Sequence, residues 1–306
     1  MKIAVLALVV AVASVGATAG GAARPSNGLI LYSEEVSGTA RLFTVRPDGS
    51  GRRQLTRGAA DALNAEWSPD GRSIVFERFV SAEERAAVTV MDAGGSRARE
   101  LTPTGFQGDP SFTPDGRAVV FTRDPNPSDN GIWIMYADGS ALRRLSRNPF
   151  MRRGFCGCDE GAAVSPDGRT VTFARSQRNS QRALFAVDID GGGLRRLTPW
   201  HLGPPRHAWS PDGKRILATL QMGPSANVVT MRRDGSDVRQ VTRFTGGARH
   251  GYAGSYSPDG AWLVIRIEKG PSYGLYLVRP NGTGLRRIGK SSAPQTGIDW
   301  GSGRGG

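Results

Sequence analysis

The stretch Ala208-Trp209-Ser210-Pro211-Asp212-Gly213-Lys214-Arg215-Ile216-Leu217-Ala218-Thr219-Leu220 decides the fold. An aromatic residue closes one short run, four residues turn the chain, and an apolar run follows. The turn is encoded locally. Pro211 presets φ at the second position, Asp212 can hydrogen-bond its own backbone, and Gly213 accepts the left-handed conformation. The same turn recurs at Ser68-Pro69-Asp70-Gly71, Thr113-Pro114-Asp115-Gly116, Ser165-Pro166-Asp167-Gly168 and Ser257-Pro258-Asp259-Gly260. The prolines lie 45, 52, 45 and 47 residues apart. A degenerate sixth copy, Gly301-Ser302-Gly303, follows Trp300.

A second turn runs in antiphase, at Asp48-Gly49, Gly94-Gly95, Asp138-Gly139, Asp190-Gly191, Asp234-Gly235 and Asn281-Gly282. Each precedes a basic and apolar segment such as Arg196-Leu197-Thr198 or Arg239-Gln240-Val241-Thr242. Asp-Gly between alternating runs is a strong hairpin signal. Each unit therefore holds four short strands. In the quoted unit, A ends at Trp209, B covers 215–220, C covers 227–232 and D covers 238–242. A four-stranded repeat of this length is a propeller blade. A helical repeat would need longer runs free of Gly and Pro.

Inner strands end near Trp67, Phe112, Val164, Trp209, Tyr256 and Trp300, which predicts an all-β, six-bladed β-propeller with four-stranded blades. The strand at 297–300 lacks a following partner and the strand at 29–33 lacks a preceding one. The N- and C-terminal strands are thus expected to share one blade, which leaves no open edge. The propeller is expected over 24–300, with 301–306 as a flexible tail.

The N-terminus reads as a signal peptide over 1–23: Lys2, an apolar run over 3–15, then Ala17-Thr18-Ala19 and Gly21-Ala22-Ala23 as small-residue cleavage sites. No later stretch is apolar enough to span a bilayer. The mature chain is expected to be secreted or periplasmic, in the cell envelope, and monomeric. The net charge is +13, and only Lys2, Lys214, Lys269 and Lys290 among the 40 basic residues are lysine. Anionic envelope polymers are a more natural partner for such an exported surface than nucleic acid.

The Trp-Ser-Pro-Asp-Gly-Lys motif and the later Asp-Gly-Ser-x-x-Arg-Arg-Leu motif resemble the PD40, or WD40-like, repeat of the TolB propeller family. The resemblance covers roughly 28–300. It implies the propeller only, because strand material starts at Leu29 where TolB proteins carry a small α/β domain first. The same repeat is similar to the propeller of some prolyl-oligopeptidase-like peptidases. The peptidase pattern Gly-x-Ser-x-Gly occurs once, at Gly270-Pro271-Ser272-Tyr273-Gly274, but in a B–C loop. A nucleophile elbow needs a strand-to-helix turn.

The A–B and C–D turns are short and regular and read as scaffold. Function is expected on the other face, in the D–A and B–C loops. Three D–A loops of successive blades stand out. The expanded 147–160 loop holds Arg152, Arg153, Cys156, Cys158, Asp159 and Glu160. The 199–206 loop holds Trp200 and His201, with His207 next. The 243–252 loop holds Arg249, His250 and Tyr252. Arg152, Arg153, Trp200, Arg249 and Tyr252 are the candidate ligand-binding residues. His201, His207 and His250 are every histidine in the chain and form a candidate divalent-metal set. The resemblance adds that some TolB-like propellers are lyases with a histidine-bound metal on this face. Cys156 and Cys158 could form a local disulfide, remain thiols or bind metal. The paired arginines of the outer strands read as edge protection. No catalytic set is recognisable. The leading expectation is a scaffold without a cofactor that binds a protein, peptide or anionic glycan on the D–A and B–C face. The alternative is a metal-dependent lyase or hydrolase acting on an acidic saccharide.

Overall fold

The structure, a computed structural model, describes residues 26–83, 85–102, 105–123, 130–149, 158–177, 181–291 and 293–303. The expected signal peptide lies outside them. Six four-stranded antiparallel sheets form the ring. Blade I contains β1 (Asn27–Val36), β2 (Thr39–Val45) and β3 (Arg53–Gln54). Blade II is β4 (Asp61–Trp67), β5 (Ser73–Val80), β6 (Arg85–Asp92) and β7 (Arg99–Glu100). Blade III is β8 (Gln107–Phe112), β9 (Ala118–Arg123), β10 (Gly131–Tyr136) and β11 (Arg143–Arg144). Blade IV is β12 (Asp159–Val164), β13 (Thr170–Ser176), β14 (Arg182–Asp188) and β15 (Arg195–Arg196). Blade V is β16 (His207–Trp209), β17 (Arg215–Met222), β18 (Ser225–Arg232) and β19 (Arg239–Gln240). Blade VI is β20 (His250–Tyr256), β21 (Leu263–Lys269), β22 (Ser272–Val278) and β23 (Arg286–Ser291). The last strand, β24 (Gln295–Ser302), returns to pair with β1 and completes blade I from the inside.

That closure matches the expectation, but β24 runs past Trp300, and Ser302 pairs with Asn27. The first residues of the expected tail are therefore strand. The outer strands are shorter than their sequence suggests, two residues in five of the blades. Among the described residues the one helical element is the 3₁₀ turn Ser81–Glu83, and no helix is long and apolar enough to cross a membrane.

The Ser-Pro-Asp-Gly turn works as its residues predict. Ser68 Oγ donates to Asp70 Oδ1 at 2.6 Å, Arg72 N donates to the same oxygen at 3.0 Å, and Ser73 N donates to Ser68 Oγ at 2.9 Å. Gly71 supplies the positive φ of 66°. The network repeats around Asp115, Asp167, Asp212 and Asp259. These hydrogen bonds hold the Asp carboxyls at Asp70, Asp115 and Asp167 below their ordinary range.

The core lies between blades. Six apolar clusters occupy the interfaces; one joins Ile30, Phe43 and Trp300 of blade I to Val264, Leu275 and Leu277 of blade VI. Fully burying one such side chain contributes about 1.5–3 kcal/mol. Arginines fasten the rim. Arg53 donates to Gly94 O, Arg99 to Asp138 O and Arg143 to Asp190 O, each in the next blade. These outer-strand arginines are inter-blade staples, a more specific role than the edge protection read from the sequence.

Candidate functional site

The six inner strands surround a central channel. Five of the six end on the buried Trp67, Phe112, Trp209, Tyr256 and the partly buried Val164; Trp300 is the counterpart in β24. Three residues earlier stand Asn64, Asp109, Gly161, Arg206, Ala253 and Gly297, one per blade. Pairing with the B strand breaks at this level in five blades, between Leu63 and Glu66, Gly108 and Ser111, Glu160 and Ala163, Ala253 and Tyr256, and Thr296 and Asp299. Such bulges re-aim residues. Asn64 and Asp109 adopt φ of 54° and 49°, costly for residues with a Cβ.

Arg206 bridges this ring. It belongs to blade V, and its Nη2 donates to Asn64 Oδ1 of blade II, which faces it across the channel. The same nitrogen donates to Asp109 Oδ1 at 3.0 Å. Asn64 Nδ2 in turn donates to Asp109 Oδ1 and to Glu77 Oε2, both at 2.8 Å, and Gly161 N donates to Asp109 Oδ2 at 3.0 Å. Burial, reinforced by the Asp109 charge, pushes the Glu77 carboxyl up to about 7.

The Arg206 bar separates two cavities. The cavity on the D–A and B–C side, about 270 Å³, is lined by Glu160, Arg206, Tyr252, Arg266, Gln295 and Ile298 among others. Arg266 lies 4.1 Å over the Tyr252 ring, donates to Gln295 O at 2.8 Å and pairs with Glu268 at 2.8 Å. Glu160 pairs with Arg182 at 2.7 Å, and burial still raises its carboxyl above the ordinary range. The chamber on the turn side, about 440 Å³, reaches Pro166, Pro211 and Pro258 of the Ser-Pro-Asp-Gly turns. Its wall carries Glu66 and Asp299. Burial and then the Asp299 charge push the Glu66 carboxyl up to about 8, against hydrogen bonds from Ser111 Oγ at 3.1 Å and Phe112 N at 2.9 Å. Burial likewise raises Asp299, which accepts from Trp67 N at 2.9 Å.

Of the expected ligand residues, Tyr252 lines the channel mouth. Trp200 packs against Phe185 at 5.6 Å, with Arg196 over its ring at 5.5 Å. Arg249 is exposed over Phe244 at 5.7 Å. Arg152, Arg153 and Cys156 lie outside the described residues. Cys158 is half-buried, and its backbone N donates to Ser176 Oγ at 2.9 Å.

The three histidines do not assemble as expected. His207 Nε2 meets Thr172 Oγ1 of blade IV at 2.8 Å, and burial drives its pKa down to about 4, so the ring is neutral. His250 Nδ1 accepts from Ala226 N at 3.1 Å, while His201 is exposed. Among the described residues no three His, Cys, Asp or Glu side chains are grouped to hold a metal ion. The physical reason is local: two of the rings are spent on blade-to-blade and hairpin hydrogen bonds. Asp159 is spent too. It is fully buried and forms a two-pronged ion pair with Arg175, 2.7 Å in both bonds. The Gly-x-Ser-x-Gly match sits in a tight β21–β22 hairpin where Lys269 pairs with Ser272, as its placement between strands predicts.

The residues that build the channel, Asn64, Glu66, Asp109, Arg206 and Asp299, were not singled out by motif. The available signal was positional: each lies one or three residues before the inner-strand terminus.

The model of the TolB beta propeller domain, PD40, matches residues 12–155 and 47–247. A TolB homolog from Chlorobium luteolum is 28% identical over 208 residues, 68% of this chain and 45% of the relative. The chain thus spans less than half the length of that relative. The crystal structure of TolB from Acinetobacter baumannii superposes with a TM-score of 0.74 at 22% identity, covering 89% of this chain and 66% of that one. A nidogen/laminin complex structure gives 0.66 at 11% identity, covering 89% and 97%. With the repeat, the six closed blades and the family model in agreement, the chain belongs to the TolB beta propeller domain family, PD40.

Proposed function

We propose that this propeller is an exported, monomeric binding scaffold of the cell envelope or secreted fraction, holding a protein or glycan partner on its D–A and B–C face. The observation that carries this reading is the cavity of about 270 Å³ at that mouth, where Tyr252, Arg206, Arg266 and Glu160 converge on a closed ring. A rigid scaffold presenting an aromatic ring and guanidinium groups beside a concave mouth suits partner recognition. The apolar run over 3–15 supports export, and the fold shared with TolB and with a nidogen/laminin complex supports a protein partner. Photo-crosslinking tests it. A benzophenone amino acid at Trp200 or Arg249 is expected to trap the partner, and Tyr252→Ala is expected to weaken trapping. Crosslinks formed only from Arg72, on the opposite face, would overturn the assignment.

A further inference from the structure

We propose that the turn-side chamber is a second, separate binding site, which accepts a guanidinium or primary ammonium group carried on a side chain of a partner polypeptide. The chain carries a net charge of +13, yet this chamber of about 440 Å³ holds two carboxyls with no cation beside them. Among the described residues neither Glu66 nor Asp299 has an ion-pair partner, although most acids elsewhere sit near an arginine. Their partners are hydrogen-bond donors without charge. Glu66 Oε1 takes both Ser111 Oγ and Phe112 N, Asp299 Oδ2 takes Trp67 N, and the Trp300 N–H and the Ser255 side chain also favour the Asp299 carboxylate.

The remaining wall supplies no positive charge near them. Ala163 and Ala208 occupy the positions that Glu66 and Asp299 occupy in their own strands. His207 is neutral, and its Nδ1 has no hydrogen-bond partner. Tyr256, only 7% exposed, also lines the chamber, and its hydroxyl is likewise without a partner. A buried polar atom left unpaired costs about 1–3 kcal/mol, and the carboxyl oxygens, the His207 ring nitrogen and the Tyr256 hydroxyl can all accept, which favours a ligand rich in donors. A guanidinium brings five N–H donors and an ammonium three.

Shape favours an extended side chain over a bare ion. Prolines 166, 211 and 258 and the rings of Trp209, Tyr256 and Trp300 line the same chamber. An aliphatic stem can lie along such apolar surface while its charged head reaches the carboxyls. Arg206 sits across the far end. A hard metal ion would instead require six or more oxygen ligands, and no group of three acidic or histidine side chains is present among the described residues.

The site differs from the D–A mouth, so its test is independent of the proposed function. Calorimetry of the full chain with acetyl-Gly-Arg-Gly-amide, against the citrulline peptide of equal shape, reads it directly. At pH 7, in two buffers of different ionisation enthalpy, the arginine peptide is expected to bind with release of roughly one proton as the acid pair ionises. The citrulline peptide is expected to bind at least about tenfold more weakly. Glu66→Gln keeps an acceptor for Phe112 N and should abolish the proton release; Asp299→Asn serves as the second variant, with thermal melts confirming that both fold. Equal affinity for the two peptides would overturn the proposal. So would arginine binding unchanged in both folded variants, or a thermal shift produced by calcium chloride while the arginine peptide gives none.

Discussion

Replacing Arg175 with Met is expected to remove about 3–5 kcal/mol of stability, the cost of leaving one member of a buried ion pair unpaired. Asp159 is 0% exposed and the Arg175 side chain 3%. Arg175 Nε and Nη2 reach the two Asp159 oxygens, and Nη2 also donates to Arg147 O at 3.0 Å. The guanidinium lies near the rings of Phe173 and Phe185, at 5.3 and 5.0 Å. Met fits that aromatic surrounding, so the loss would come from the stranded carboxylate rather than from a hole. Ser146 Oγ and Asn148 Nδ2 would still donate to it, at 2.8 and 3.1 Å, which holds the cost within that range. At about 2 °C per kcal/mol for a domain of this size, the melting temperature should fall by about 6–10 °C. Asp159→Asn should cost a similar amount. The double variant should cost clearly less than the sum, because no unpaired charge remains. Urea titration followed by tryptophan fluorescence measures all three, with unchanged m-values as the check on a common unfolded state. Single losses under about 1 kcal/mol, or strict additivity, would refute the account of the pair as a buried and mutually dependent unit.

Glu66, at about 8, and Glu77, at about 7, hold protons in the folded chain that the unfolded chain has lost, so stability should decline as pH rises from about 4.5 toward those values. His207 acts oppositely: with a folded pKa of about 4 against an ordinary 6.5, it should cost stability as pH falls between them. Above pH 6.5 only the carboxyls remain, and Glu66→Gln should flatten that decline; an unchanged slope in the variant refutes the assignment. Arg206→Met should cost about 1–3 kcal/mol by breaking charge-assisted bonds to Asn64 and Asp109, read by thermal melts; no loss would mean the bar is not structural. Thr172→Val removes the partner of both His207 Nε2 and Trp209 Nε1 and should cost about 1–3 kcal/mol, more than the same change at exposed Thr283.

Most of the scaffold is legible in the sequence because its decisive contacts are local. The Ser-Pro-Asp-Gly turn satisfies itself within five residues, so each copy announces a hairpin wherever it occurs. Blade closure is legible for a topological reason, since a lone B strand and a lone A strand must find each other. The channel is less legible. Arg206 reaches Asn64 across 142 residues of chain, and that geometry exists only once the ring has formed. Asp159 and Arg175 face each other through strand register, which turned a presumed loop acid into a buried structural one. Rarity misled at the histidines: residue counts say nothing about where a ring points, and His207 points at the neighbouring blade.

The pairing of β1 with β24 also bears on how the molecule is made. Trp300 Nε1 donates to Gly28 O across 272 residues, and Ile30 lies opposite Trp300. During synthesis the first strand must therefore wait, with its inner edge unsatisfied, until the last strand emerges. Contacts of such long range slow folding, and an edge left open for that interval can pair wrongly. Joining residues 26 and 303, which already share a 2.6 Å hydrogen bond, and reopening the chain in a D–A loop would convert this seam into an ordinary hairpin. Every blade of the rearranged chain would then be continuous in sequence, and only a packed interface would join its first blade to its last.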